Sequence, residues 1–286
     1  MSTISASAVS ELRKKTDLPL MDCKKALTEA GGDMDKAVEL LRSWNAKATI
    51  KREGNETAEG RIGIAIYVEE KVAAIVEMRC ESAPSAKSDQ FIALAGDVAR
   101  HLTATTAVAA DVPSLLTQPF GKMTVKDRID EVVGLIREKM VVHKFTRLSG
   151  GVFGQYVHHD GSVGVLLQCN GDKQADEPLR DICAHIAALN PPYLTVADVP
   201  ADVLEKEKAI AASQIKEDPK NASKPANIIE KIADGKIKTW LAEGVLMEQP
   251  MANGMKYPNK TVGEVLKGLG LTPVKFVRYK VGAVTV

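Results

Sequence analysis

The sequence predicts an α+β protein with an N-terminal three-helix module, two pseudo-repeated α+β core lobes and a protruding antiparallel helical hairpin. Three observations lead there. Helical periodicity with caps and glycine stops fills residues 1–44, a unit of alternating hairpin followed by helix occurs twice, and two long, mostly polar helical stretches interrupt the second copy. The length of 286 residues fits about two domains at roughly 100–200 residues each. Lys and Arg number 38 against 37 Asp and Glu, a net charge of +1, which argues against a protein devoted to coating nucleic acid or an anionic membrane. No apolar run approaches the roughly 18 residues of a membrane span, and the first residues lack the apolar stretch of a secretory signal. Cys23, Cys80, Cys169 and Cys183 are far apart with no CxxC pair, which argues against zinc sites and disulfide scaffolds. The expectation is a reduced, soluble, cytoplasmic protein.

In chain order, Ser5 or Ser7 can cap a first helix carrying Val9 and Leu12 on one face. Thr16-Asp17-Leu18-Pro19 ends it, because proline disfavours helix at the residue before it. A second helix over Met21–Ala30 stops at Gly31-Gly32. Asp33 caps a third, with Met34, Ala37, Val38 and Leu41 at core spacing. The apolar loop Leu18, Leu20, Met21 serves either docking or the plugging of the module's own core, the second being the simpler reading. Residues 45–60 are charged and poor in apolar groups, and read as a linker.

The first lobe, 61–147, opens with a strand over Ile62–Val68, a turn at Glu69-Glu70-Lys71 and a second strand over Val72–Met78 closing at Cys80. The second lobe begins over 148–200 with Val152–His158, a turn at His159-Asp160-Gly161, and Val163–Leu167 leading to Cys169. A helix follows each hairpin, Phe91–Leu102 and Leu179–Leu189. The offset that brings Ala95 onto Cys183 also brings Ala99 onto Ala187, all inward candidates. Between the lobes, Thr124–Lys139 is a helix with Ile129, Val132, Val133 and Ile136 on one face, and Met140–Leu148 alternates as a strand. Residues 201–246 form the hairpin: Val203, Leu204, Ile210 and Ile215 on one arm, punctuation at Asp218-Pro219 and Lys224-Pro225, and Ile228, Ile229, Ile232, Ile237 and Trp240 on the return. Residues 247–286 complete the second lobe with a short helix, Thr261–Gly268, and a last strand, Pro273–Val284.

Motifs for enzymatic chemistry are mostly missing. There is no GxGxxG or GxxxxGK[ST]; Gly121-Lys122-Met123-Thr124 lacks the spacing and preceding strand of a phosphate loop. The glycine-rich Ser149–Gly154 enters a strand, so no helix N-terminus follows to cradle phosphate. His158 and His159, read as neighbours on one strand, point to opposite faces and do not share a metal ion. His185 on an apolar helix face reads as a core histidine, and the cysteines as small hydrophobes. Glu69-Glu70 and Glu205–Lys208 read as turn and solvated helix surface. No metal site, cofactor site or catalytic residue is assigned. Several separate surfaces on one chain suit gripping a macromolecule.

Leu12-Arg13-Lys14-Lys15-Thr16, Met21-Asp22-Cys23-Lys24-Lys25-Ala26-Leu27-Thr28-Glu29-Ala30 and Gly32-Asp33 closely resemble the bacterial elongation factor Ts family. The likeness recurs at Cys80-Glu81-Ser82, Gly154–His158, His185–Ala188, Val203–Glu207, Ile229–Ile232, Lys260–Gly263 and Phe276–Gly282. It covers nearly the whole chain, in collinear order.

The resemblance implies a guanine nucleotide exchange factor for elongation factor Tu, binding its GDP-bound and nucleotide-free forms. It implies a UBA-like N-terminal module whose contact region includes Leu12, Met21, Asp22, Cys23 and Lys24. It implies a loop that perturbs the partner's magnesium and phosphate region, at Ser82, Ala83, Pro84 and Ser85, and a partner-facing histidine at His158. The hairpin is implied to make homodimer contacts; no direct nucleic-acid or membrane partner is implied. At the loop the sequence departs from the family pattern Thr-Asp-Phe-Val: Ser82 matches conservatively, while the acidic and aromatic members are gone. An Ala-Pro pair does not deliver the same buried ring area, so a second reading is a binding protein of the same fold with weak or no exchange activity.

Overall fold

In the computed structural model, which describes residues 4–16, 18–218 and 224–283, three helices open the chain. Asp17, Pro219 and Val284, invoked above, lie outside the described residues. Helix α1 (Ala6–Thr16) is capped by Ser5, whose Oγ accepts from Ala8 N at 3.1 Å. Helix α2 (Leu20–Glu29) stops where Gly31 and Gly32 take φ of 65° and 92°, which glycine adopts without a Cβ penalty. Asp33 accepts from Asp35 N and Lys36 N and starts α3 (Met34–Lys51). Val9, Leu12, Leu18, Cys23, Ala26, Leu27, Ala37 and Leu41 form a core of their own.

The linker read at 45–60 is corrected: α3 continues through Lys51, and Glu59 already begins the first strand. The continuation is held by polar contacts that hydropathy does not register. Asn45 is buried against Gly134 of α7 (Val125–Ile136), where an added Cβ would lie 2.2 Å from Asn45 Oδ1. One turn on, Thr49 Oγ1 donates to Asp130 Oδ1 at 2.8 Å. A buried Asn and a Thr–Asp bond thus join the two helices without an apolar stripe.

Strands β1 (Glu59–Tyr67), β2 (Val72–Cys80) and β5 (Met140–Ser149) form an antiparallel sheet in the order β1-β2-β5. The central strand is buried along nearly its whole length, and its first five residues, Val72–Val76, are all apolar. Helix α5 (Asp89–Ala104) crosses β1 so closely that a Cβ on Gly63 would fall 2.4 Å from Ala95 O. Val76, Met78, Phe91, Leu94, Val98, Leu102, Ile129 and Val133 fill this core. Between the strands lie α4 (Ala83–Ala86), α6 (Val112–Leu116) and a two-residue pair, β3 (Pro119–Phe120) with β4 (Met123–Thr124).

The β2–β5 register slips beside a charged cluster. Glu77 pairs with Lys144 but Met78 with Val142, leaving His143 as the extra residue of a bulge. Glu77 is fully buried. Its Oε1 accepts from Arg79 Nε at 2.7 Å and Gly282 N at 3.3 Å; Oε2 has no hydrogen-bond partner and faces Lys144 Nζ at 3.6 Å. Lys144 also lies 4.6 Å over the Tyr279 ring, whose hydroxyl meets Thr146 Oγ1 at 2.7 Å.

Contacts divide the chain into two units: Met1–Ser149 with Val157–Gly164 and Tyr279–Val286, and Gly150–Tyr156 with Val165–Arg278. The second hairpin and its helix repeat the first: β6 (Val152–Val157), β7 (Val163–Asn170) and α8 (Asp176–Leu189). The last strand, β8 (Thr272–Lys280), joins them in the order β6-β7-β8, and Arg278 donates twice to Ala187 O. Here too a glycine admits the helix, since a Cβ on Gly154 would lie 2.7 Å from Leu179 Cβ. Ala95, Ala99 and Cys183 are buried as the offset required, and Ala187 packs partly buried on the second core.

His185 on α8 is buried; its Nδ1 accepts from Ala252 N at 3.1 Å, so its Nε2 carries the proton donated to Gln249 Oε1 at 2.8 Å. The hairpin consists of α9 (Ala201–Glu217) and α10 (Ala226–Gly244). Ala211 and Ile215 of α9 are buried, whereas no described residue of α10 is. Ile210, Ile232, Ile237 and Trp240 line an open groove of about 460 Å³ between the two arms. The short helix α11 (Val262–Gly268), capped by Thr261, completes the second core.

Candidate functional site

The residues expected at a partner surface all fall in the first unit, but they do not all reach water. Leu12 is corrected from a contact residue to core, and of the two readings of Cys23 the small hydrophobe is the one found: both are fully buried, and Cys23 Sγ donates to Leu18 O at 3.6 Å. The apolar loop divides. Leu18 is in the core, while Leu20 and Met21, at the start of α2, are 47% and 69% exposed. A methionine that far out of a core built two residues away is available to another surface. Lys24 is exposed one turn further along. Asp22 is half-buried and its Oδ2 accepts from Arg137 at 2.8 Å.

Ser82–Ser85 is also corrected, from a loop to the start of a helical turn. Ser82 is the N-cap of α4, its Oγ accepting from Ser85 N at 3.4 Å, and Pro84 occupies an early helical position that needs no N–H. Ser85 and Ala86 are buried, Ala83 is half-buried, and Pro84 is the exposed member of the four expected residues. Glu138 holds the turn from below, accepting from Ser82 Oγ at 2.7 Å and Ser82 N at 3.1 Å. Sequence reading missed Glu138, which it placed in the last turn of a helix to Lys139. That helix ends at Ile136, because Arg137 adopts the left-handed region at φ 64°.

His158 is half-buried and lies just past the end of β6, not within it. The expected divergence of His158 and His159 does not occur: outside the pleat the alternation is lost, and the rings approach to 4.3 Å between centroids. Asp160 accepts from Ser162 N and Oγ, which, with the two neighbouring histidines, holds its carboxyl below the usual range. Among the described residues no group of three or more His, Cys, Asp or Glu side chains is placed to hold a metal ion. Burial pushes the Cys80 and Cys169 thiols up to about 12, against thiolate chemistry at neutral pH. No helix among the described residues is long and apolar enough to cross a membrane.

A helical module joined to a twice-repeated hairpin-and-helix core, with a helical arm inserted in the second repeat, defines a multi-surface α+β protein. The chain belongs to the elongation factor Ts family, a family of translation elongation. Residues 85–283 match the family model described as Elongation factor TS. Relatives extend the match over the N-terminal module. Elongation factor Ts of Thiobacillus denitrificans is 42% identical over 283 residues, covering 99% of this chain and 93% of the relative. That of Azoarcus sp. is 40% identical over 284 residues (99% and 92%), and that of Kineococcus radiotolerans 36% over 289 (99% and 100%).

Proposed function

We propose that this chain is a guanine nucleotide exchange factor for elongation factor Tu. It binds the GDP form, perturbs the magnesium and phosphate region, and leaves a nucleotide-free complex that GTP resolves. The observation that supports the reading is that Met21, Lys24, Pro84 and His158, the residues at which the resemblance implies partner contact, all fall in the first unit, the first three exposed and His158 half-buried. Such a factor acts through coupling free energy: if it weakens nucleotide binding by some ratio, nucleotide weakens factor binding by the same ratio. No acid, base or nucleophile of its own is required. The groove between α9 and α10 supports homodimer contacts through the hairpin.

The second reading, binding without efficient exchange, is favoured by one observation: Pro84 is the exposed residue where an aromatic wedge would stand. The test is release of fluorescent GDP from the organism's own elongation factor Tu under excess GTP. Release that accelerates with factor concentration supports exchange. A complex that forms without accelerating release leaves the binding reading in its place.

A further inference from the structure

The turn after α7 bonds to several separate segments of the first unit. Arg137, Glu138 and Lys139 each hold a different segment. The Arg137 guanidinium donates to Asp22 at the start of α2, while its carbonyl accepts from Arg52 Nε, just past α3, at 2.9 Å. The Glu138 carboxylate takes both the backbone N–H and the hydroxyl of Ser82. Lys139 N donates to Glu81 Oε1, which also accepts from Asn55 Nδ2 at 2.9 Å, and Lys139 Nζ donates to the carbonyls of Glu53 and Asn55. The bonds from Lys139 N and then Asn55 Nδ2 depress the Glu81 carboxyl.

Arg137 occupies the left-handed C-cap position that glycine fills most readily, so its side chain is retained at some backbone cost. The Asp22 pair is exposed and adds little by itself. Its place is what matters, because one turn then bonds both the α2 surface and the α4 turn.

We propose that residues 137–139 are a splint fixing the α2 surface relative to Ser82–Ser85, with Glu138 the positioning residue for the α4 turn and Arg137 for α2. This rests on the exchange-factor reading for its functional consequence, not for its mechanical one. In the partner complex the two surfaces would arrive already set apart by the correct distance, so that binding at one presents the other.

Two measurements separate the two levels. In the free protein, Glu138→Ala, which loses both bonds to Ser82, should raise amide hydrogen exchange across Ser82–Lys87 by at least about tenfold, the scale of one charge-assisted hydrogen bond, with α5 and α7 unchanged. Glu138→Gln, which keeps one acceptor oxygen, should recover part of that protection. Unchanged protection in Glu138→Ala, or a loss spread evenly over the unit, overturns the splint whatever the partner assay gives. With elongation factor Tu, Glu138→Ala should lower the saturating GDP-release rate by about tenfold while moving the half-saturating concentration less than about threefold. Arg137→Gly should do the reverse, raising half-saturation about threefold with the saturating rate kept. Equal effects on both parameters in both variants overturn the positioning roles. If wild type accelerates nothing, the exchange reading fails and the splint stands or falls on the free protein.

Discussion

Removing the Glu77 carboxylate should destabilise the first unit more than any single surface change. The side chain is fully buried, yet its two cationic partners are not: Arg79 retains 17% side-chain exposure and Lys144 23%. Glu77→Ala removes the carboxylate that Arg79 and Lys144 both face and leaves Gly282 N without its acceptor. Losing one member of a buried ion pair costs about 3–5 kcal/mol, and partial access of both cations to water places this site near the lower end, about 3 kcal/mol. Glu77→Gln keeps an acceptor for Arg79 or Gly282 and should cost about 1–2 kcal/mol. Replacing Glu77, Arg79 and Lys144 together by methionine should recover most of the loss, since no charge then remains to be paired. Urea denaturation with the slope held equal to wild type is the assay. The melting temperature of Glu77→Ala should fall by about 6–12 °C for a unit of this size. A cost below about 1 kcal/mol, or a triple variant no better than Glu77→Ala, would show that the cluster is held by solvent and not by its ion pairs.

Three further outcomes follow from the geometry. Burial, opposed by the Gln249 bond, holds the His185 imidazole below its ordinary value. The folded state therefore binds that proton less readily than the unfolded chain, so its contribution is complete above about pH 6.5 and declines as pH falls below it; denaturation of wild type and His185→Asn at pH 7.5 and 5.5 should show a steeper acid loss in wild type. Gly154→Ala forces a methyl onto Leu179 of α8 and should cost about 1–3 kcal/mol by chemical denaturation; a neutral result would mean that the helix can back away from β6. Ala83→Asp with Pro84→Phe should raise the saturating GDP-release rate by up to about tenfold, the scale of one aromatic ring packed against the partner; an unchanged rate would mean that the wedge does not limit exchange here.

The repeat was legible because its signals are apolar and periodic: alternation in the hairpins, and Ala95 and Cys183 at matching inward positions. Capping was legible for the same local reason, Asp33 and Ser5 being short acceptors just ahead of apolar spacing. The continuation of α3 was hidden because Asn45 and Thr49 hold it to α7 through polar groups, and hydropathy scores such residues as solvated. The burial of Leu12 and Cys23 shows how a motif that identifies a family can mark its core and not its surface. Glu138 was invisible for a third reason. Its role depends on Arg137 leaving the helix, and no glycine announced that stop.

The hydrogen bond between Gly282 and Glu77 spans 205 positions of sequence, and Val281 N donates to Ser162 O in the same stretch. At about ten residues per second on a ribosome, roughly twenty seconds separate the synthesis of Glu77 from that of Gly282. For about the last thirteen seconds of that interval, once β5 has been made, the nascent first unit has its carboxylate, its three-stranded sheet and its helices, but not the backbone that caps the charge. Maturation of the unit is therefore tied to synthesis of the segment that follows β8. Nascent chains arrested before Gly282 should remain protease-sensitive around β2 and β5, although every residue of both strands has long since been made.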